Sequence, residues 1–365
     1  MISIALRNLL AEKTRFAISV GGVAFSVLLI LIILSLYQGW RVKATEYIRN
    51  IEADIWVSQA GSADISNSAS FIPTTLEEEI ANLSGVKKVH RFIGKPIVFQ
   101  IKNQDVNAYI VGFDRDDPIA GPQKMSSGSS DPQEGEIVID RVLAKNKKLG
   151  LDDSIEIFGR TFKIVGIADG ANMFLFQFSF INQSEALELF GQPGFSNFLL
   201  VETESVESTK EEINKMGGTE AWTRGDFVDK NRRLIDEVFL PIIKVLIAIC
   251  TLVGTAVIGL TIYTSTIEKS REFGVIKAIG GSNFQIYRII FEQALIAGVV
   301  GYFIGVGLTF LLLGIIPDLV PTFVTTLRLE DLLRVFLLSM AMSILASYIP
   351  VRRILSIDPA EVFRS

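Results

Sequence analysis

The chain has 365 residues, 49% of them hydrophobic, with 35 Lys+Arg against 40 Asp+Glu and a formal net charge of −5. A soluble chain of this length would divide into two or three domains and spread its apolar residues among them, whereas here four windows hold most of them. A single cysteine, Cys250, excludes an intrachain disulfide, and a single histidine, His90, leaves no zinc site of the ordinary type and no support for a histidine-dependent nucleophilic triad.

The first window, Phe16–Trp40, runs 25 residues without a charge. A helix crossing a bilayer needs about 20 apolar residues. The window exceeds the roughly 7–15 residues of a signal-peptide core and no small-x-small site follows it, so it reads as a retained membrane helix. Gln38–Asn50 continues it as a charged, helix-compatible stretch. A folded α+β segment follows. Ala53–Gln59 reads as a strand. Thr75–Leu83 reads as a helix capped by Thr74 or Thr75, with Glu77 to Glu79 in its first turn, where acid suits the helix dipole. Val86–Val89, Lys95–Ile101 and Val106–Phe113 read as strands, and the Gly/Ser/Pro-rich stretch Ile119–Gly135 as a loop. Then come a strand at Glu136–Ile139, a helix at Arg141–Leu149, and strands at Ser154–Phe158 and Thr161–Ile167.

Phe174, Phe176, Phe178 and Phe180 alternate, so on a strand they share one face. That face is either the core of this segment or an apolar contact surface for a substrate or partner. A strand at Phe198–Glu202, a helix at Val206–Met216 and a strand at Glu220–Trp222 complete the segment, and Gly225–Phe239 leads as a helical stalk into the second window. The order of elements suggests two lobes, one built from both ends of residues 38–236 and one inserted near 98–195.

The second window is Val245–Ile267, the third Gln293–Pro317 and the fourth Val335–Val351, whose helix begins in Thr326–Arg334 after Pro317 and Pro321. Between the second and third lies Ile267–Asn283, short, charged and amphipathic, with Ile267, Phe273, Ile276 and Ile279 giving it an apolar side and Gly280-Gly281 breaking it. It is either a solvated loop or a docking helix for a motor. Ala297, Gly301 and Gly305 form small-xxx-small pairs; with Gly298 in the third helix and Gly21, Gly22 and Ser26 in the first, they mark close helix packing, within one subunit or across a dimer. Glu292 beside Arg288 reads as a snorkelling or helix-terminal carboxylate.

Charge sets the topology. Arg7, Lys13 and Arg15, then Lys269, Arg271, Lys277 and Arg288, then Arg352, Arg353 and Arg364 place the N-terminus, the middle loop and the C-terminus in the cytoplasm. Residues 38–236 hold 22 Lys+Arg against 30 Asp+Glu, and an acidic exterior argues against nucleic acid as a partner. The fold class is therefore an α-helical membrane protein with four transmembrane helices and a large, two-lobed extracytoplasmic α+β domain between helices 1 and 2. The boundaries are 1–37 for the N-terminal segment and helix 1, 38–236 for the external domain and 237–266 for helix 2. The coupling segment is 267–285, helices 3 and 4 are 286–316 and 330–350, and the tail is 351–365.

The stretch SREFGVIKAIGGS resembles the coupling segment of FtsX/MacB-type (type VII) ABC transporter permeases, with Glu268, Arg271, Glu272, Gly274, Lys277, Ala278 and Gly280 matching its pattern. Glu292 before a Gly-rich membrane run, the ending PVRRILSIDPAEVFRS and the opening ALRNLLAEKTRFAISVGGVAFSV are similar to the same family, with Phe363 in place of the usual Leu. The resemblance implies that Glu268, Arg271, Glu272, Gly274, Ile276, Lys277 and Gly280 couple the chain to a cytoplasmic ATPase dimer. It also implies pairing with a second permease copy or a paralogue. No Walker A sequence occurs, so no cofactor is expected on this chain, and ATP and Mg²⁺ belong on the separate ATPase. The implied function is a permease subunit of a mechanotransmission exporter in the bacterial inner membrane. It would act on an amphipathic, lipid-like or lipoprotein substrate at the outer side, with membrane lipid around it and a periplasmic adaptor or outer-membrane channel as further partners. The alternative is an FtsX-like regulator of a cell-wall hydrolase.

Overall fold

The computed structural model describes residues 12–66, 70–173, 176–191, 193–319 and 323–355. The chain divides into a helix unit, residues 1–39 with 239–365, and a sheet unit, residues 40–238.

Four described helices are long and apolar enough to cross a membrane. They are α1 (Lys13–Asn50), α6 (Arg224–Glu268), α8 (Asn283–Leu319) and α9 (Leu329–Leu355), with α7 (Ser270–Ala278) between the second and third. The windows read from the sequence lie inside them. The fourth helix begins at Leu329, within the expected stretch Thr326–Arg334, and ahead of it Thr326 gives its N–H to the Ser35 carbonyl at 2.9 Å. Val23, Val27, Ile30 and Leu31 of α1 share one buried cluster with Ile258 and Ile262 of α6, Ile290 and Ala294 of α8 and Met342 of α9.

In the sheet unit the strands are β1 (Ile55–Gln59), β2 (Ile72–Pro73), β3 (Val86–Ile101), β4 (Gln104–Phe113), β5 (Met125–Gly128), β6 (Glu136–Asp140), β7 (Ser154–Ile157), β8 (Arg160–Ala168), β9 (Asn172–Met173), β10 (Phe176–Asn182), β11 (Phe195–Ser196), β12 (Phe198–Thr203) and β13 (Thr219–Thr223). The helices are α2 (Thr74–Ala81), α3 (Arg141–Lys147), α4 (Gln183–Phe190) and α5 (Val206–Lys215). One sheet runs β13-β1-β12-β3-β4-β10-β6-β8-β5, with β7 on β8 and β9 on β10, while β2 and β11 form a small ribbon.

The two stretches expected as separate strands at 86–89 and 95–101 are one strand. Its first half pairs antiparallel with β12, from Val89↔Val201 to Phe92↔Phe198. Its second half pairs with β4, from Ile93↔Gly112 to Ile101↔Gln104. The material from the ends of the segment and the material from its middle therefore share a strand. Pro96 does not end it, because residues 93–101 bond a strand on one side only, and an edge tolerates a residue without an N–H. The expected loop 119–135 carries β5, an edge strand on β8. Helix α4 was not expected, although its signals are present. Asn182 caps it by accepting from Ser184 N at 2.9 Å, and Gly191 closes it at φ 65°.

The ends of α1 and α6 belong to the sheet unit's core. Tyr47 stacks on Phe178 with ring centroids 4.2 Å apart, and its hydroxyl donates to the Ala120 carbonyl at 2.5 Å. Phe227 stacks on Trp56 at 4.6 Å. Arg41 of α1 grips Asp236 of α6 with two contacts, Nε to Oδ1 at 2.8 Å and Nη2 to Oδ2 at 3.2 Å.

Candidate coupling site

Helix α6 ends at Glu268 and α7 starts at Ser270, so Lys269 is the only residue between them. The helical bonding nevertheless continues through it. Lys269 N donates to Ser265 O at 3.1 Å and Phe273 N to Lys269 O at 3.0 Å, which makes the junction a kink and not a loop. Phe273 is buried in the helix core with Ile262, Ile286 and Ile290, and anchors one side of α7. Glu268, Arg271, Glu272 and Val275 are exposed on the chain, and Ile279, which follows α7, is 80% exposed. Gly274 is buried. Gly280 stands at φ 91°, a left-handed conformation that favours glycine, and turns the chain toward α8. The side chains of Ile276 and Lys277, and the C-terminal motif from residue 356 onward, lie outside the described residues.

A carboxylate that no sequence motif singles out sits beside this junction. Glu12 receives Arg15 Nη1 at 3.0 Å and Ser265 Oγ at 2.9 Å on one oxygen, and Lys269 Nζ at 2.8 Å on the other. The other guanidinium nitrogen of Arg15 pairs with Glu268. Burial pushes the Glu12 carboxyl up, but the bonds from Lys269, Ser265 and Arg15 together outweigh it and hold the carboxyl below the usual glutamate value. The Glu12/Arg15 spacing is visible in the sequence; its partners, 253 residues away, are not.

The packing glycines act within the chain. A Cβ on Gly301 would lie 2.5 Å from Val23 Cβ and 3.0 Å from the Val20 carbonyl, and one on Gly305 would lie 2.7 Å from the Ala24 carbonyl. Gly22 faces Val257, and Gly298 faces Ser343. These four bring backbones of neighbouring helices together, whereas Gly21 meets nothing within 4 Å. Arg288 Nε donates to Glu292 at 2.7 Å, one helical turn apart on α8.

The alternating phenylalanines divide. Phe178 and Phe180 are fully buried against Tyr47, Tyr109 and Phe113, which corrects the contact-surface reading for these two in favour of the core. The cause is the pairing of β10 on both edges, parallel to β4 and antiparallel to β6, with the end of α1 over that face. Phe176 is half-buried, and Phe174 lies outside the described residues. The exposed aromatics are elsewhere. Phe71 and Phe195 meet edge to face at 6.4 Å next to and on the small ribbon.

The family model for a MacB-like periplasmic core domain matches residues 16–216, and that for the FtsX-like permease C-terminal region matches 244–359. An uncharacterised ABC transporter permease of Mycobacterium tuberculosis is 24% identical over 367 residues, covering 100% of this chain and 99% of its own length. The macrolide export ATP-binding/permease protein MacB of Chromobacterium violaceum is 23% identical over 393 residues, covering 98% of this chain and 59% of that protein. Among solved structures, the periplasmic region of MacB from Actinobacillus actinomycetemcomitans aligns with 53% of this chain and 98% of its own, at 13% identity and a TM-score of 0.37.

Proposed function

Because the chain belongs to the FtsX-like, MacB-type ABC transporter permeases, we propose that it is the membrane subunit of an exporter that works by mechanical transmission. A separate ATPase dimer, which binds the ATP and Mg²⁺, engages α7 from the cytoplasm, where both chain termini also lie. Closure of that dimer pushes α7, the push tilts α6, and the sheet unit moves on the outer side of the membrane. There it displaces an amphipathic, lipid-like or lipoprotein substrate, with a second permease copy or paralogue beside it and a periplasmic adaptor or outer-membrane channel receiving the cargo. The substrate passes through no water-filled conduit, in keeping with the apolar character of the four helices.

One observation carries this reading. Helix α7 is held to the helix core by Phe273 while Arg271, Glu272, Val275 and Ile279 remain exposed, so it is a fixed handle with a free face. The relative that aligns over 99% of its length is itself an ABC transporter permease, which supports placing hydrolysis on another subunit.

The test is recovery of an ATPase subunit when the full chain is purified from its native host. Wild-type chain should bring one down in stoichiometric amount. Ile279→Asp and Arg271→Glu, both at exposed positions, should lose it while helix content and melting remain unchanged. Wild-type chain that purifies without an ATPase refutes the proposal.

A further inference from the structure

Two helices, α1 and α6, contribute residues to both units. Within the sheet unit they are joined by the two-contact pair Arg41–Asp236. Within the helix unit they are joined by a knot at the α6–α7 junction. Glu12, just before α1, and Arg15, in its first turn, hold Ser265, Glu268 and Lys269 at that junction. Side chains of Lys269 and Glu12 are 15% and 23% exposed, so their pair is better shielded than a surface ion pair. A cavity of about 30 Å³ lined by Glu12, Arg15, Ser19, Ser265 and Gln293 adjoins the knot and has room for a water that extends it.

A kink with continuous helical bonding has one soft coordinate, the angle between its two arms. Lys269 is the residue at that angle, and its ammonium is held by Glu12, the residue that leads into α1. If it were free, a push on α7 could be absorbed by bending at Lys269 without moving α6. If it is held, bending must break the Glu12–Lys269 pair or carry α1 along.

We propose that Glu12 is a positioning residue of the coupling device: it fixes the α6–α7 angle through Lys269 and ties α1 to that junction, so that force on α7 reaches α1 and α6 as a pair. The inference rests on α7 being the ATPase handle. It gives the residue that leads into α1 a mechanical role in place of a purely topological one.

The experiment uses the full chain with its ATPase partner in lipid nanodiscs, with Cys250→Ala as background. Spin labels are placed at two exposed positions, Glu211→Cys on α5 and Leu329→Cys at the start of α9, and the labelled chain is diluted with unlabelled chain so that distances are intrachain. Wild-type protein should show a shift in the Glu211–Leu329 distance between nucleotide-free and vanadate-trapped states. In Glu12→Gln and in Lys269→Met that shift should be lost while the ATPase still co-purifies, and Lys269→Arg, which keeps the cation, should restore it. A role in folding alone would not separate Met from Arg in this way at equal thermal stability. A wild-type shift in Glu12→Gln overturns the proposal. If Glu12→Gln fails to fold, a wild-type shift in Lys269→Met, which leaves Glu12 its Arg15 and Ser265 donors, overturns it equally. No shift in the unmutated complex refutes mechanical transmission itself, and the inference falls with it.

Discussion

Replacing Asp140 by Asn should stabilise the sheet unit, and only above a defined pH. Asp140 ends β6 and caps α3, its carboxylate accepting from Val142 N at 2.7 Å. It is 1% exposed. Burial raises its pKa from the ordinary 3.8 to about 6, against the lowering effect of the Val142 and Leu143 amides and Lys43, with Asp169 adding to the rise. The folded value lies above the unfolded one, so the stability this group contributes is complete below pH 3.8 and is lost as pH rises through about 6. Above pH 7 the ionised side chain costs about 3 kcal/mol relative to the neutral one, taking 1.36 kcal/mol per pH unit. Asparagine keeps a cap oxygen and has no charge to bury. The Asp140→Asn gain should be near zero at pH 4 and approach ~3 kcal/mol at pH 8 as an upper bound, equivalent to roughly 100-fold slower exchange of amides that open with the unit. Hydrogen exchange of peptides spanning 136–147, compared between variant and wild type at equal pH in the full-length protein, measures it directly. A gain independent of pH, or a loss at pH 8, would refute the reasoning and make the Lys43 attraction the larger effect.

Phe178→Ser and Phe180→Ser should each cost the sheet unit about 3–5 kcal/mol, the range for truncating a buried aromatic, seen as a lowered midpoint of its denaturant transition. Gly301→Ala should cost about 1–3 kcal/mol by forcing α8 away from Val20 and Val23, whereas Gly21→Ala, with open space around it, should gain about 0.5–1 kcal/mol from reduced backbone freedom. Thermal melts in detergent compare the two. Tyr47→Phe should cost about 1 kcal/mol, because it deletes a buried donor to the Ala120 carbonyl and leaves the ring stacking in place.

How far the sequence reveals this molecule depends on the range of the physics involved. The four long helices are legible because the signal, some twenty apolar residues without a charge, is contained in each segment. The helix break at Gly280 is legible for the same reason, since a glycine pair announces it locally. Helix α4 is equally local in its signals, with Asn182 three residues before Glu185 and Gly191 at its end. The union of β3 was not legible. Gly94 and Pro96 mark a break in any local reading, and the strand continues because, among the described residues, 93–101 pair with β4 on one side only. The same limit governs the phenylalanines, since alternation puts Phe178 and Phe180 on one face but it takes Tyr47 from α1 and Tyr109 and Phe113 from β4 to make that face a core.

The coupling segment shows the two kinds of information side by side. Arg271, Glu272 and Ile279 are legible as candidates for the proposed handle because such a handle is a local object, a short amphipathic helix with an exposed face. Under the proposed mechanism, whether the handle turns anything depends on what resists bending at Lys269, and the group paired with that residue is Glu12, more than 250 residues earlier. In the sequence Glu12 is one acid beside the basic residues Lys13 and Arg15. The structure makes it the residue on which three donors converge, from α1 and from the junction. Force transmission is a property of pairs of elements. On the proposed mechanism its determinants should therefore be sought where ion pairs join segments distant in sequence, at Glu12–Lys269 and Arg41–Asp236, more than in the motif proposed to meet the motor.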